Sequence, residues 1–317
     1  MKKYSFTNRV CRVLKRKMQQ VRYGKDTPAE FVFFFVDQVL RVILNKNPNF
    51  YAKSKIKSFK NFIKDDAYHI KDVKLPLLDE EYQNSFVSWV FDDTFYSYLY
   101  CDDRYDEKTV DFCDSLLYEG LYGLQNDLVD VTVEPGDVVI DAGSWIGDFA
   151  AYASVRGAKV YAFEPVDKAY SYLLKTAQLN KNIFPVKKGV SDKTTNREIY
   201  FNEADTEAST FLKELCIGGG GGTASVQTTS IDDFVREMNL EKVDFIKADI
   251  EGFERNMLTG AQDTLKRFAP KLALCTYHLP DDPEVMSSLI KQANPDYNIV
   301  LKQKKLYASV PNLKSKK

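Results

Sequence analysis

Two carboxylates mark the ends of two short apolar runs in the middle of this 317-residue chain. In the segment VVIDAGSWIGDFAAYASVRGAKVYAFEP, residues 138–165, the first run ends at Asp141 and the second at Glu164. A glycine turn and a helical stretch separate the two runs, which predicts a strand–turn–helix–strand unit with an acid at each strand tip. Glu164 lies 23 residues after Asp141, where such units hold an acid against ribose hydroxyls. The segment therefore predicts a nucleoside-binding crevice.

The glycine spacing indicates which kind of nucleoside the crevice would bind. A dinucleotide site needs G-x-G-x-x-G so that a pyrophosphate can lie on the helix N-terminus, whereas this turn is D-x-G-x-x-x-G, with Gly143 and Gly147. A carboxylate beside the turn would repel a pyrophosphate and suits a cationic ligand such as S-adenosylmethionine. No G-x-x-x-x-G-K-[ST] phosphate loop occurs. The alternative is a turn that serves folding alone. If the turn binds the cofactor, Gly143→Val should block binding and leave the fold largely intact.

A second group of acids follows the fourth predicted strand. Asp249 ends that strand in IKADIEGFE, Glu251 follows within the same turn, and Gly252 permits a close backbone approach. Two acids this close could act as a base, bind an acceptor or hold a divalent cation. The alternative is that Glu251 and Glu254 only stabilise the N-terminus of the next helix.

His278 ends the fifth predicted strand in LALCTYHLP and is one of two histidines in the chain. Histidine titrates in the range that a general base needs, although a lone histidine is more often structural. We expect His278 to be the base, with Asp249 or Glu251 orienting it or holding a neighbouring hydroxyl. Asp281 and Asp282 could ligate a metal beside Asp249, but they are equally typical of a helix cap. No metal ligands are therefore assigned.

Composition excludes several classes of protein. The chain carries 44 basic and 45 acidic residues, so its overall charge gives no nucleic-acid signature. The five cysteines are widely spaced and form no CxxC pair, which indicates reduced thiols in a cytoplasm and argues against a zinc site. The N-terminus lacks the apolar core and cleavage site of a signal peptide. We therefore expect a cytoplasmic protein.

Residues 1–125 are rich in aromatic residues and show helical spacing without β alternation, which predicts an N-terminal α-helical region. The clearest helix has Thr27 as its N-cap, Pro28 in the first position and Glu30 completing a capping box. Asn45 and Pro48 close it. Its apolar stretch is too short and too charged to span a bilayer, so we expect a buried helix.

From residue 126 onward predicted strands and helices alternate, which is typical of an α/β fold with a parallel sheet. Helices are expected to begin at Asp167 and after a cap at Ser230. Pro185 assigns the third strand to a sheet edge, and YNIVLK with KLYASV predicts an antiparallel hairpin. REIYFN and ASVQTT predict an inserted excursion that contains a flexible loop at Gly218–Gly222. The main strands are expected near residues 138–141, 159–164, 183–189, 243–249 and 271–277.

Four stretches in this order resemble the FkbM-type family of S-adenosylmethionine-dependent methyltransferases: VVIDAGSWIGDF, VYAFEP, VDFIKADIEGFERNMLTGA and PKLALCTYHLPDD. The resemblance covers about residues 125–310. It implies a class I methyltransferase fold, a mostly parallel Rossmann-like sheet of seven strands whose last strand is antiparallel. It also implies methyl transfer to a hydroxyl, often on a sugar, a surface polysaccharide or a secondary-metabolite intermediate. Trp145 stands where many relatives carry Asn, a departure that bears on the detailed cofactor contacts.

The residues and the resemblance together predict the parts of the protein. Residues 126–310 are the expected methyltransferase domain, residues 1–125 an acceptor-specificity or lid element, and residues 311–317 a basic tail. The expected catalytic residues are His278, Asp249 and Glu251. The expected cofactor-binding residues are Asp141, Gly143, Ser144, Trp145, Gly147, Glu164, Pro165, Ser191 and Asp249.

A small-molecule or glycan acceptor is the expected partner. Nucleic acid is not expected, because the αβ region lacks a basic stripe with interleaved aromatic residues. The first 25 residues carry nine Lys or Arg and no acid, which favours a solvated helix face, with weak peripheral membrane contact as the alternative. Two further hypotheses stay open: a methyl acceptor in protein, lipid or RNA, and a non-catalytic cofactor-binding module of a biosynthetic assembly.

Overall fold

The computed structural model describes residues 18, 28–44, 63–70, 72–79, 82–83, 122–202, 205–215, 222–302 and 304–311. The helices in these ranges are α1 (Pro28–Leu44), α2 (Asp148–Val155), α3 (Asp167–Leu179), α4 (Ile231–Glu237), α5 (Glu254–Thr259), α6 (Gln262–Phe268) and α7 (Asp282–Ala293), with a 3₁₀ turn at Lys213–Leu215. The strands are β1 (Ile63–Lys64), β2 (Ala67–Ile70), β3 (Val73–Pro76), β4 (Leu124–Gln125), β5 (Asp130–Val131), β6 (Val138–Ala142), β7 (Lys159–Phe163), β8 (Ile183–Val186), β9 (Gly189–Val190), β10 (Thr195–Asn202), β11 (Asp205–Thr210), β12 (Gly222–Thr229), β13 (Phe245–Ala248), β14 (Lys271–Cys275), β15 (Asn298–Lys302) and β16 (Lys305–Ser309).

The main sheet has seven strands in the order β15-β16-β14-β13-β6-β7-β8. Strand β16, the last in the chain, runs antiparallel to both of its neighbours, and β14, β13, β6, β7 and β8 pair in parallel. The expected seven-stranded fold with an antiparallel last strand is confirmed, as is the terminal hairpin β15–β16. Strand β8, which contains Pro185, forms one edge of the sheet.

Successive side chains of the central strands pack alternately into two separate cores, one on each face of the sheet. Val139 and Phe245 belong to the core beneath α2 and α3, whereas Ile140 and Ile246 belong to the core beneath α4 to α7. This alternation follows from the two-residue period of a strand. Burying each large apolar side chain contributes about 1.5–3 kcal/mol, so the two cores hold the strand ends in place.

A smaller sheet with the order β11-β10-β12-β9 branches from the main one. It confirms the predicted excursion between the third and fourth main strands. The predicted third strand at 183–189 is wrong in one respect: β8 ends at Val186 in the main sheet, and β9 pairs with β12 instead. Helix α4 begins as expected, because the Ser230 hydroxyl accepts the Asp233 backbone N–H. Most of the glycine loop lies outside the described residues.

The prediction that residues 1–125 are helical is wrong for the described segment 63–76, which forms the antiparallel sheet β1-β2-β3. Tyr68 and Leu75 from this sheet and Tyr82 after it are buried in the same core as Val139. The physical reason is that the outer surface of α2 and α3 is apolar, and β3 packs against it. The Asn180 side chain at the end of α3 also hydrogen-bonds the backbone of β3.

Helix α1 has the predicted bounds at Pro28 and Leu44, but the prediction that it is buried is wrong. Val32, Phe33, Phe35 and Val36 are exposed by 37–56%. Among the described residues, no helix has the length and apolarity that crossing a membrane requires. The basic segment before α1 lies outside the described residues, apart from Met18, so the expected solvated helix face and the alternative of weak membrane contact both stay untested.

Candidate active site

The carboxyl ends of β6, β7, β13 and β14 meet at one edge of the main sheet. Ala142 pairs with Phe163 on one side and with Ala248 on the other, and Ala248 pairs with Leu274. This register brings the two predicted groups of acids to the same edge, since parallel strands end side by side. The acids at the ends of β6 and β7 form one half of a crevice, and the residues after β13 and β14 form the other.

The glycine turn after β6 lies directly against the end of β13. The backbone N–H groups of Gly143 and Ser144 both donate to the Phe163 carbonyl, and the Ser144 hydroxyl donates to the Asp141 carbonyl. Gly143 has a φ of +76°, and a Cβ on it would lie 1.9 Å from the Asp249 carbonyl oxygen. The expectation that Gly143→Val leaves the fold intact is therefore wrong, because any side chain there collides with backbone.

Glu164 is the acid that organises the crevice. Its two carboxylate oxygens accept the backbone N–H groups of Val166 and Trp145, at 2.8 and 3.0 Å. The carboxylate is almost fully buried. Burial raises the pKa of Glu164 to about 7, even though the two N–H donors act in the opposite direction. Each oxygen keeps a lone pair that a ribose hydroxyl can use.

Trp145 and Gly147 connect the turn to the helices behind it. Trp145 has a φ of 46° and stacks on Tyr82 with ring centroids 6.0 Å apart. Its indole ring thus packs on the core. Gly147 has a φ of +86°, and a Cβ there would lie 2.7 Å from a methyl group of Leu173 in α3. Both residues shape the turn through packing.

Asp141 is fully buried and faces a lysine that the sequence analysis did not single out. Lys247 Nζ lies 3.1 Å from Asp141 Oδ1 and donates to the Gly143 carbonyl. Burial acts to lower the pKa of Lys247, but Asp141, Asp249 and Asp148 outweigh it and raise the pKa. The available signal was a charged residue within the apolar strand VDFIKAD. Lys247 therefore neutralises part of the negative charge of Asp141, the charge that we expected a cationic ligand to balance.

Two other predicted cofactor residues lie toward the smaller sheet. Pro165 lines a cleft of about 520 Å³ that also contacts β12. Ser191 is fully buried, its hydroxyl donates to Asp192, and its backbone N–H donates to Thr229. These bonds tie Ser191 to the end of the small sheet, and its cofactor role stays a prediction.

Asp249 lies in the second half of the crevice and is hydrogen-bonded by a residue that precedes β4. Tyr122 donates a hydrogen bond to Asp249 Oδ2, and Tyr277 donates to Oδ1 at 3.3 Å. Burial acts to raise the pKa of Asp249, but Lys247, Lys305 and His278 outweigh it and lower the pKa to about 2. Asp249 is therefore a carboxylate at neutral pH and a weak base.

His278 is surrounded by carboxylates. Its Nε2 lies 3.3 Å from Glu251 and 3.8 Å from Asp249, and its Nδ1 lies 3.3 Å from Glu254. We refer to Asp249, Glu251, Glu254 and His278 as the His278 cluster. Burial acts to lower the pKa of His278, but the carboxylates raise it to about 11. The imidazole is thus a cation at neutral pH, which is opposite to the neutral ring that a general base requires.

Residues that the sequence analysis missed complete the floor of the site. Lys305, at the start of β16, is buried with its Nζ 3.5 Å from Cys275 Sγ and 4.2 Å from the Tyr122 ring centroid. Burial raises the pKa of the Cys275 thiol well above its usual value. Tyr122 precedes the predicted domain and has no motif around it, so sequence alone gave no signal for it.

The strand order, the strand-end crevice and the acid after the second strand of the unit define a class I methyltransferase fold. Residues 140–297 match the family model of the methyltransferase FkbM domain. Through this domain the chain belongs to the FkbM-type methyltransferases.

The hexuronic acid methyltransferase AglP of Haloferax volcanii is 27% identical, with 50% of this chain and 64% of that protein aligned. The 31-O-demethyl-FK506 methyltransferase FkbM of Streptomyces tacrolimicus is also 27% identical, over 42% of this chain and 62% of that protein. The chain thus spans slightly less than two thirds of either relative. The crystal structure of a methyltransferase FkbM from Methylobacillus flagellatus aligns with a TM-score of 0.45 and 18% identity, over 82% of this chain and 59% of that one.

Proposed function

We propose that this protein is an S-adenosylmethionine-dependent O-methyltransferase that acts on a hydroxyl of a sugar, glycan or secondary-metabolite intermediate. The observation that carries the proposal is the contact between the Gly143 turn and the Asp249 peptide. This contact makes the Asp141–Glu164 crevice adjacent to the His278 cluster. A methyl donor held by the turn and Glu164 would therefore have its reactive end near groups that can bind a hydroxyl.

Different residues of this chain hold the methyl donor and the acceptor for an in-line displacement. Glu164 accepts the ribose hydroxyls, while the Gly143 turn holds the donor against β13. The His278 cluster binds the acceptor hydroxyl, and holding the oxygen, methyl carbon and sulfur in line can supply about 7–11 kcal/mol of the barrier. The name of the 31-O-demethyl-FK506 methyltransferase supports an oxygen acceptor, and that of the hexuronic acid methyltransferase supports a sugar-derived acceptor.

The positive charge of His278 bears on which residue can act as the general base. With a pKa of about 11, the ring must lose its proton before it can accept one from the acceptor. Direct proton transfer in this cluster contributes about 10²–10⁴-fold to the rate. We expect His278→Ala to reduce kcat by at least about 10²-fold, with the cofactor affinity changed by less than about threefold. A large loss in Asp249→Ala together with normal turnover in His278→Ala would transfer the role to the carboxylate.

Two measurements test the proposed function. Calorimetric titration should show saturable binding of S-adenosylmethionine and none of NAD. Incubation with methyl-labelled donor and a panel of sugars, nucleotide sugars and glycans should transfer label to at least one acceptor. The product should withstand alkali, because an ether is stable where a methyl ester is hydrolysed. Absence of donor binding, or label transferred only to protein or RNA, would contradict the proposal.

A further inference from the structure

We propose that the His278 cluster is a divalent metal site, with Asp249, Glu254 and His278 as the protein ligands. One potential ligand atom from each of these three residues lies within 4.8 Å of the others. Two ligands of one cation are at most about 4.4 Å apart, because metal–oxygen and metal–nitrogen bonds are about 2.0–2.2 Å long. Three atoms within 4.8 Å of one another lie at most about 2.8 Å from a common centre, so binding requires each side chain to shift by less than about 1 Å.

Unpartnered buried atoms in the same cluster point to a ligand independently of this spacing. The Glu254 side chain is fully buried, and its Oε2 has no hydrogen-bond partner among the described residues. The His278 side chain is only 5% exposed, and both of its ring nitrogens lie outside hydrogen-bond geometry in the described structure. Leaving a buried polar group unsatisfied destabilises the folded protein. Glu254 Oε2 can give its free lone pair to a cation directly, and a His278 nitrogen can do so once the imidazolium has lost a proton to the solvent.

The neighbouring residues distinguish this cluster from an ordinary acidic surface. The Ile250 backbone N–H donates to Glu254 Oε1, which fixes this carboxylate and leaves Oε2 available. Asp281 and Asp282, the pair that the sequence suggested as alternative ligands, are both bound to Arg255 instead. Asp281 and Asp282 thus share Arg255 as their cationic partner, whereas three carboxylates contact the His278 imidazole and Asp249 also interacts electrostatically with Lys247 and Lys305.

The ligand types indicate which cation fits. Carboxylates alone suit Mg²⁺ and Ca²⁺, whereas an imidazole among carboxylates favours a first-row transition ion such as Mn²⁺, Fe²⁺ or Zn²⁺. Two carboxylates and one imidazole leave further positions open for water or a substrate oxygen. We therefore take Mn²⁺ as the probe, because it accepts both donor types and is observable by electron paramagnetic resonance.

The role of the cation rests on the proposed function, although its binding does not. An acceptor hydroxyl coordinated to the cation would have a lower pKa, and its proton would pass to Glu251, the most exposed cluster carboxylate at 28%. The oxygen lone pair then forms a bond to the methyl carbon. The carbon–sulfur bond breaks with its electron pair on sulfur, which converts the sulfonium into a neutral thioether.

The experiment measures metal binding directly. Protein stripped with EDTA and exchanged into chelator-free buffer is titrated with Mn²⁺, and free Mn²⁺ is followed by its resonance signal. We expect one saturable site per chain, weakened at least tenfold in Glu254→Gln and in His278→Gln. Asp281→Asn, which changes an exposed acid held by Arg255, should bind like the wild type. No saturable site in the wild type, or equal binding in all four proteins, would overturn the proposal.

A spectroscopic measurement on protein that keeps all three proposed ligands covers the case in which a ligand variant does not fold. The chain has only two histidines, so ¹⁵N-histidine labelling with His69→Gln leaves His278 as the labelled ring. Electron spin echo modulation should then show one ¹⁵N nucleus coupled to bound Mn²⁺, and its absence would refute the ligand set. Methyl transfer that survives metal removal would refute the cation's catalytic role alone. Mn²⁺ binding without methyl transfer to any acceptor would instead count against the proposed function.

Discussion

Different individual groups balance the buried charges in the two halves of the crevice. Asp141 faces Lys247, and Glu164 is held by two backbone N–H groups. In the second half, three carboxylates face the imidazole of His278. In the first arrangement, burial raises the pKa of Glu164 to about 7, and in the second the carboxylates keep His278 charged while Lys247 and Lys305 act on Asp249.

Glu164→Ala should weaken S-adenosylmethionine binding at least tenfold. Each charge-assisted hydrogen bond from a ribose hydroxyl contributes about 1.5–3 kcal/mol, and 1.4 kcal/mol corresponds to a factor of ten. Isothermal titration calorimetry measures the change. Glu237→Ala is the control, because Glu237 is an exposed acid of α4 that pairs with Lys188, and this variant should bind the cofactor normally. Equal affinity in both variants would show that Glu164 does not contact the ribose.

Cofactor affinity should also depend on pH through Glu164. Burial raises the pKa of this residue to about 7 in the ligand-free protein, and ribose hydroxyls donate more strongly to the ionised form than to the protonated one. Affinity should therefore be greatest above about pH 7 and fall as the pH decreases, by up to about tenfold per unit. Glu164→Gln removes the titrating group, so the difference between the two proteins isolates it. A wild-type affinity that follows the variant at every pH would contradict this role.

Among the elements, the turn between β6 and α2 combines two constraints. It accepts a positive φ at Gly143, and it approaches β13 so closely that only a hydrogen atom fits. The adjacent turn after β13 contains Glu251, which has a φ of 53°. Because the two turns contact each other through backbone, a change in one displaces the other, and both halves of the crevice respond together.

Gly143→Ala should lower the free energy of unfolding by more than Gly136→Ala does. Both glycines have a positive φ, which costs a residue with a side chain about 1–2 kcal/mol. An added Cβ at Gly136 meets nothing within 4 Å, whereas at Gly143 it meets the Asp249 carbonyl. Urea denaturation of the two variants separates the strain of the backbone from the cost of the contact. Equal destabilisation would mean that the Asp249 turn moves away at little cost.

At the scale of the whole molecule, the segment before the αβ region is part of the main core. Strand β3 packs on α2 and α3, Tyr82 stacks on Trp145, and Tyr122 reaches Asp249. The expected boundary near residue 125 therefore does not separate two hydrophobic cores. Residues on both sides of this boundary contact the crevice, since Tyr122 bonds to Asp249 and Trp145 bonds to Glu164.

Leu75→Ala should lower the free energy of unfolding of the whole domain by about 2–5 kcal/mol, as expected for a fully buried leucine. Leu77→Ala is the matched control two residues along the chain, where the side chain is 36% exposed and the change should stay within about 0.5 kcal/mol. Thermal and urea unfolding, followed by tryptophan fluorescence, report the difference. If Leu75→Ala unfolds like the control, the segment 63–76 does not belong to the domain core.

The sequence by itself determined the elements of the αβ region and the acids at their ends. Strand β6, strand β7 and the cap of α4 follow from local patterns, and the register of a parallel sheet then brings Asp141, Glu164 and Asp249 to one edge. Local pattern was sufficient here because hydrophobic period, turn chemistry and strand direction are properties of neighbouring residues.

Only the tertiary structure decided what surrounds those acids. The pairing of Lys247 with Asp141, the Tyr122 bond to Asp249 and the three carboxylates around His278 join residues far apart in the chain. These contacts set the charge of the imidazole and reverse the protonation state expected for it. The location of segment 63–76 on α2 and α3 was hidden for the same reason: burial and electrostatic environment depend on distant residues, which composition and spacing do not reveal.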